Sequence, residues 1–246
     1  MSRAAAFFDL DKTIIDADAG VLFGSHLLRL AKAEVESTER KERRRRELRY
    51  RMFFAEVVAK AAYTRILYAL RIMKRSHVVR TAYTFFKGMR REHLEAALDG
   101  FFDDGLRRRV YPVVHDVLER HRKAGHHTVL VTTGMRPIAE RFAAMLGIDE
   151  VVACELEEED GILTGRVRGP LYGEDKARAA ERLAAERGWD LAASFAYTDH
   201  YSDLHLLEKV GHPRAVHPNK RLAKLAEKRG WPVLDFSDPD HAFAPS

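Results

Sequence analysis

"AAFFDLDKTII", residues 5–15, is an apolar run that breaks into two carboxylates one residue apart. Ala5, Ala6, Phe7 and Phe8 carry no polar side chain and read as a buried strand. Asp9 and Asp11 then emerge at its carboxyl end. Two carboxylates this close repel each other unless a positive charge sits between them.

Further strand-like runs follow the first: Thr128–Val131 ("TVLV"), Glu150–Cys154 ("EVVAC"), Phe195–Tyr197 and Arg214–Val216. Helical patterns over Pro112–Ala124, Pro137–Leu146 and Asp175–Arg187 lie between them. Strands alternating with helices of this length predict an α/β fold, a doubly wound (Rossmann-like) parallel sheet covered on both faces. "EEEDGILTG", residues 157–165, reads as a small hairpin turning at Asp160-Gly161. From about Ala17 to about Gly105 no strand pattern appears, only helical periodicity. The expected division is a core of residues 1–16 and 105–246, with an all-helical cap, residues 17–104, inserted after the first strand.

The chain has 246 residues, 46% hydrophobic and 32% charged, enough for a sizeable core in one large domain or two small ones. Its single cysteine, Cys154, excludes an internal disulfide and a cysteine-based metal cluster. No run of 18 residues is free of charge, and the start "MSRAAAFFDL" has no secretory apolar region or cleavage site, so a cytoplasmic location is expected. The net charge is +5, yet residues 40–51, "RKERRRRELRYR", alone carry +6 and the remainder −1. Four consecutive arginines, Arg43 to Arg46, point in nearly all directions around a helix, and Glu42–Arg46 and Arg43–Glu47 stand four apart as exposed pairs. The run reads as a solvated helix face, and no nucleic-acid partner is expected.

Several strands end in chemistry. The first delivers Asp9, Asp11 and Thr13; "VLVTTG" delivers Thr132, Thr133 and Gly134; "FAYTDHYSD" delivers Asp199 and Asp203; and Lys176 opens a helix in "LYGEDKARAAERL". A doubly wound sheet brings such groups to one edge. Hard oxygen ligands from Asp9, Asp11 and Asp199 suit Mg²⁺. Lys176, the Thr132 hydroxyl and backbone N–H groups after Asp9 would hold phosphate oxygens, and a carboxylate can itself be phosphorylated to an acyl phosphate. A lysine in the first turn of a helix is disfavoured unless it faces an anion.

This constellation resembles the haloacid dehalogenase superfamily, in particular its phosphoserine-phosphatase-like subfamily (IB), with a helical cap between the first and second motifs. "DLDKT" matches the first motif, "VLVTTG" the second, Lys176 the third and "DHYSD" the fourth, in order along the chain. The resemblance implies Asp9 as nucleophile and Asp11 as general acid–base. It implies Mg²⁺ held by Asp9, the Asp11 backbone carbonyl and Asp199. Thr132 and Lys176 would bind phosphate, with Thr133 competing for the Thr132 position, and Asp203 would orient Lys176 or a metal-bound water. Two departures are visible: Thr198 precedes Asp199 where the family often has Gly, and Thr132 stands where Ser is usual.

In phosphoserine phosphatases a Glu shortly after the first motif receives the substrate amine. Asp18 in "IIDADAG" stands at that place, with Asp16 two residues earlier as an alternative. Asp18 is equally placed to cap the segment that follows. The expected function is Mg²⁺-dependent hydrolysis of a small phosphorylated metabolite, phosphoserine-like or another amino-alcohol phosphate, through an aspartyl phosphate. Two alternatives rest on the basic region. One is a lipid head-group phosphatase with peripheral membrane contact through the apolar-basic segment from Arg40 to Lys74. The other is a noncatalytic nucleic-acid-binding module using residues 40–51.

Overall fold

A computed structural model describes residues 3–37, 75–103, 105–169, 172–241 and 243. The basic run 40–51 and the rest of the segment to Lys74 lie outside the described residues. Seven strands are described: β1 (Ala5–Phe8), β2 (His127–Met135), β3 (Glu150–Glu159), β4 (Ile162–Arg168), β5 (Phe195–Thr198), β6 (His212–Val216) and β7 (Val233–Leu234). Their order is β4-β3-β2-β1-β5-β6-β7, and the pairs β1–β2, β1–β5, β2–β3, β5–β6 and β6–β7 are parallel. The fold is α/β, as the alternation of runs predicts.

All four residues of β1 are fully buried, because strand pleating sends neighbours to opposite faces and both faces are covered. Phe7 packs into a cluster with Val129, Val131 and Ala196 of the sheet and with Ala180 and Leu183 of α6 (Gly173–Arg187). Phe8 stacks on Tyr197 with ring centroids 4.6 Å apart. It also meets His121 of α4 (Val114–Lys123) edge-on at 5.7 Å.

The chain divides into two compact units. The first comprises Met1–Ala19, Phe102–Glu155 and Arg168–Ser246 and holds the parallel sheet. The second comprises Gly20–Phe101 and Leu156–Val167. Its described helices are α1 (Ala19–Ser37), α2 (Arg75–Tyr83) and α3 (Arg91–Asp103). The second unit starts at Gly20 and ends at Phe101, a few residues inside the expected 17–104, and it also takes in the β3–β4 hairpin, which the sequence reading places in the core. The turn forms at Asp160 (φ 51°) and Gly161 (φ 74°), two left-handed residues as a tight hairpin requires. The hairpin is held within the second unit by backbone hydrogen bonds: Gly88 N–H to Leu163 O, Leu163 N–H to Met89 O, and Arg91 N–H to Gly161 O, at 2.8–2.9 Å. The Arg91–Glu158 ion pair adds to them at 2.6 Å.

His121 is buried behind β1. Its Nε2 is 2.9 Å from the Tyr197 hydroxyl and its Nδ1 is 2.8 Å from Nδ1 of His126. Burial, then the charges of His126 and Arg214, push its pKa down to about 4. The folded state therefore favours the neutral ring. The associated stability is complete above the unfolded value near 6.5 and is lost as pH falls from there toward 4, roughly 3 kcal/mol in all. Thermal unfolding measured at pH 8 and pH 5 is expected to show a smaller drop in Tm for His121→Gln than for the parent. Equal drops would remove His121 as a source of the acid sensitivity.

Candidate active site

The chain runs from β1 outward to β2 and β3, then returns to β5 on the other side of β1, so the winding reverses between β1 and β5. Ligand sites of open parallel sheets lie beyond the carboxyl ends of strands at such a reversal. Asp9 follows β1 and Asp199 follows β5. The Asp9 N–H still donates to Tyr197 O at 3.0 Å, extending the ladder and fixing Asp9 at that point. The next turn is tight: Leu10 O accepts from the N–H groups of Thr13, Ile14 and Ile15, and Lys12 takes a left-handed φ of 57°. It leaves the Asp11 carboxylate within reach of the Ala19 N–H, which donates to Oδ1 at 2.8 Å.

Lys176, only 3% exposed, lies between two carboxylates. Its Nζ donates to Asp9 Oδ1 at 2.8 Å and to Asp203 Oδ2 at 2.7 Å. Burial disfavours the ammonium, but the Asp203 and Asp9 charges outweigh it and hold the lysine pKa above its ordinary value. Burial, with Asp9 beside it, pushes Asp11 up to about 7 despite the hydrogen bond from Ala19. Burial, with Asp9 and Asp203, likewise pushes Asp199 up to about 7. The site thus holds more negative charge than one lysine neutralises. Among the described residues no three His, Cys, Asp or Glu side chains form a metal cluster of their own. A Mg²⁺ site needs no such cluster, since that ion is typically held by one or two carboxylates with water and phosphate. The donor set fits such an ion.

Thr132 sits in β2 with 1% exposure, and its Oγ1 accepts the Gly134 N–H at 3.0 Å. Thr133 is half-buried. Thr13 is fully buried, and its hydroxyl has no hydrogen-bond partner among the described residues. Asp16 is paired to Arg109 at 3.4 Å. Asp18 is exposed, and its charge is felt by Asp11. The structure thus links Asp9, Asp11, Lys176, Asp199 and Asp203 by hydrogen bonds or charge, and the exposed Asp18 reaches this group through its charge on Asp11. His200 caps the turn after β5, its Nδ1 accepting from Ser202 N–H at 3.1 Å. A recess of about 400 Å³ lined by Arg3, Arg122, His127 and Trp189, near the starts of β1 and β2, holds none of the sequence-predicted residues.

Sequence reasoning passed over Gly173, the first residue of α6. A Cβ there would lie 1.7 Å from Ser202 O. The absent side chain lets the helix start press against the Ser202–Asp203 backbone and puts Lys176, one turn on, beside Asp203. The signal was a glycine three residues before the lysine in "YGEDK". Gly173→Ala is expected to lower stability by roughly 1–3 kcal/mol and to reduce phosphatase activity, as the helix backs away with Lys176. Unfolding and steady-state rates test this; a parental Tm and rate would mean the helix start yields without moving the lysine.

A family model described as haloacid dehalogenase-like hydrolase matches residues 6–208. The chain is 30% identical, over 97% of its length and 80% of the relative's, to a Streptomyces azureus protein named for inhibition of morphological differentiation. It is 30% identical to a Mycobacterium tuberculosis protein named phosphoserine phosphatase, over 95% of this chain and 71% of that one. It is 27% identical to a Neisseria meningitidis histidinol-phosphatase, over 94% and 98%. Among solved structures, a Bordetella pertussis protein of unknown function aligns with a TM-score of 0.76 and 26% identity, over 96% of this chain and all of that one. A phosphoserine phosphatase in its apo form aligns at 0.63 and 18% identity, over 96% and 94%, which speaks to the fold alone. With its acidic motifs at the reversal of the sheet, the chain belongs to the haloacid dehalogenase-like hydrolase family and is a phosphatase-type enzyme of it.

Proposed function

We propose that this enzyme is a Mg²⁺-dependent phosphomonoesterase that hydrolyses the phosphate ester of a small amino alcohol through an aspartyl phosphate on Asp9. The observation that carries the reading is the buried Lys176 ammonium, bonded to Asp9 Oδ1 at 2.8 Å at the carboxyl end of β1. With Oδ1 held by the lysine, Oδ2 is the oxygen left to attack phosphorus. The Asp9–phosphorus bond forms as the ester oxygen departs, and Asp11 gives that oxygen its proton. Asp11 then takes a proton from the water that attacks the acyl phosphate, releasing inorganic phosphate and restoring Asp9. A carboxyl whose pKa stands at about 7 is suited to both transfers near neutrality. Lys176 and the Thr132 hydroxyl hold phosphoryl oxygens, with Thr13, Thr133 and Gly134 close along the same two motifs. Asp9, the Asp11 carbonyl and Asp199 would hold Mg²⁺, which when bound neutralises these carboxylates against one another and polarises the phosphoryl group.

The substrates in the names of two relatives, phosphoserine and histidinol phosphate, share a phosphate ester one carbon away from an amine-bearing carbon. That common chemistry supports an amino-alcohol phosphate here. Asp18 is the group assigned to the amine, because it stands at the place where phosphoserine phosphatases carry the amine-binding Glu. The insertion after β1, with the hairpin residues 156–167 that group with it, is assigned as the specificity cap, and the first unit as the catalytic core. The lone buried Cys154 accords with a reducing cytoplasm.

Asp9→Asn is expected to abolish turnover with the fold intact, because the amide matches the carboxylate in shape but does not attack phosphorus; turnover within tenfold of the parent removes Asp9 from the role. Asp11→Asn is expected to slow turnover of an alkyl phosphate by roughly 10²–10⁴-fold. It should still form phosphoenzyme with p-nitrophenyl phosphate. The substrate assignment is tested on phosphoserine, histidinol phosphate, phosphoethanolamine and glycerol phosphate, each with Mg²⁺ and with a chelator. Equal kcat/KM for the amine-free ester would refute the amino-alcohol class, and activity unaffected by the chelator would refute the metal.

A further inference from the structure

Thr198 closes β5 and is fully buried. Its Oγ1 donates to Asp203 Oδ2 at 2.9 Å, the same oxygen that receives Lys176 Nζ at 2.7 Å. The Thr198 oxygen in turn accepts the His200 N–H at 3.3 Å, so its own proton is directed at Asp203. The other Asp203 oxygen receives the Ser202 hydroxyl at 3.2 Å. One chain of hydrogen bonds therefore runs from His200 N–H through Thr198, Asp203 and Lys176 to Asp9 Oδ1.

The terminal torsion of an aspartate is soft and broadly two-fold, so a carboxylate keeps one plane only where donors hold it. Lys176 is itself a flexible chain ending in a point charge and cannot set the plane of the group that positions it. The backbone sets Thr198 instead: it is the last residue of a strand paired on both sides, with Phe8–Tyr197 in register one residue before it and Thr198–Ala215 at it.

We propose that Thr198 is a positioning residue of this active site: its hydroxyl holds the Asp203 carboxylate in the plane that keeps Lys176 against Asp9. The proposal rests on the reading of Asp9 as nucleophile and Lys176 as phosphate ligand. Thr198 touches neither substrate nor reacting atoms; it acts through Asp203.

The test uses the full chain with Mg²⁺, p-nitrophenyl phosphate for rates and inorganic phosphate for binding by calorimetry. Thr198→Val keeps the shape and removes the donor. It is expected to lower kcat/KM between about tenfold and about a hundredfold, with weaker phosphate binding, and Thr198→Ser is expected to recover most of the loss. If the valine variant does not fold, Thr198→Ala takes its place. A merely structural role is separated by repeating the substitution in an Asp203→Asn background. There Thr198→Val should change phosphate affinity by less than about twofold, because the group it acts through is already altered. An equal loss in both backgrounds, or a parental kcat/KM for Thr198→Val, overturns the proposal. The underlying reading fails separately: it falls if Asp9→Asn keeps parental turnover, whatever the Thr198 variants do.

Discussion

The ammonium of Lys176, out of water and shared by Asp9 and Asp203, is the constraint around which the site is arranged. Desolvating such a group costs several kcal/mol per ion, and a buried ion cluster is often no more stable than apolar residues of the same volume. Stability alone therefore does not account for its presence. Removing the lysine would leave two buried carboxylates facing one another. Under the proposed function, the cluster is a fixed positive charge aimed at an incoming phosphate dianion and held in place before it arrives.

Three distant parts of the chain must converge to build it, and the sheet does this by its winding. Asp9 leaves β1, Asp203 follows β5 by five residues, and Lys176 comes from the helix between β4 and β5. Because β1 and β5 pair directly, the first two arrive together at the reversal. The helix is brought in by the bare backbone of Gly173. The flat burial of "AAFF" is thus part of the site: a polar residue in β1 would have to find a partner between two covered faces.

The strand ends were legible because chemistry and hydrophobicity change at the same residue. The apolar runs ending at Phe8, Val131 and Tyr197 each pass directly into hydroxyls or carboxylates, and the sheet uses all three. Asp11 was legible as a carboxylate but not as the acceptor of the Ala19 N–H, since that bond depends on a left-handed Lys12 that carries no sequence signal. Thr198 was legible as a departure from the family pattern but not as a donor to Asp203, because a hydroxyl's partner is set by tertiary packing and leaves no periodic trace. β7, two residues long, falls below the length at which a pattern can be recognised. The hairpin was found from Asp160-Gly161, yet its grouping with the insertion was not, since the pairing with residues 88–91 spans at least seventy positions of sequence.

That pairing bears on how such an enzyme changes its insertion over evolution or in the laboratory. Leu163 offers both its N–H and its C=O to the segment 88–89, and Gly161 its C=O to Arg91. Excising or exchanging residues 20–101 alone would strand these groups on a bare strand edge, next to Ile162, whose side chain is already exposed. Unpaired apolar edges recruit strands from other molecules. The transplantable module is therefore discontinuous: a grafted insertion has to carry its own version of residues 156–167, and a chimera that omits them is a candidate for aggregation rather than for altered specificity.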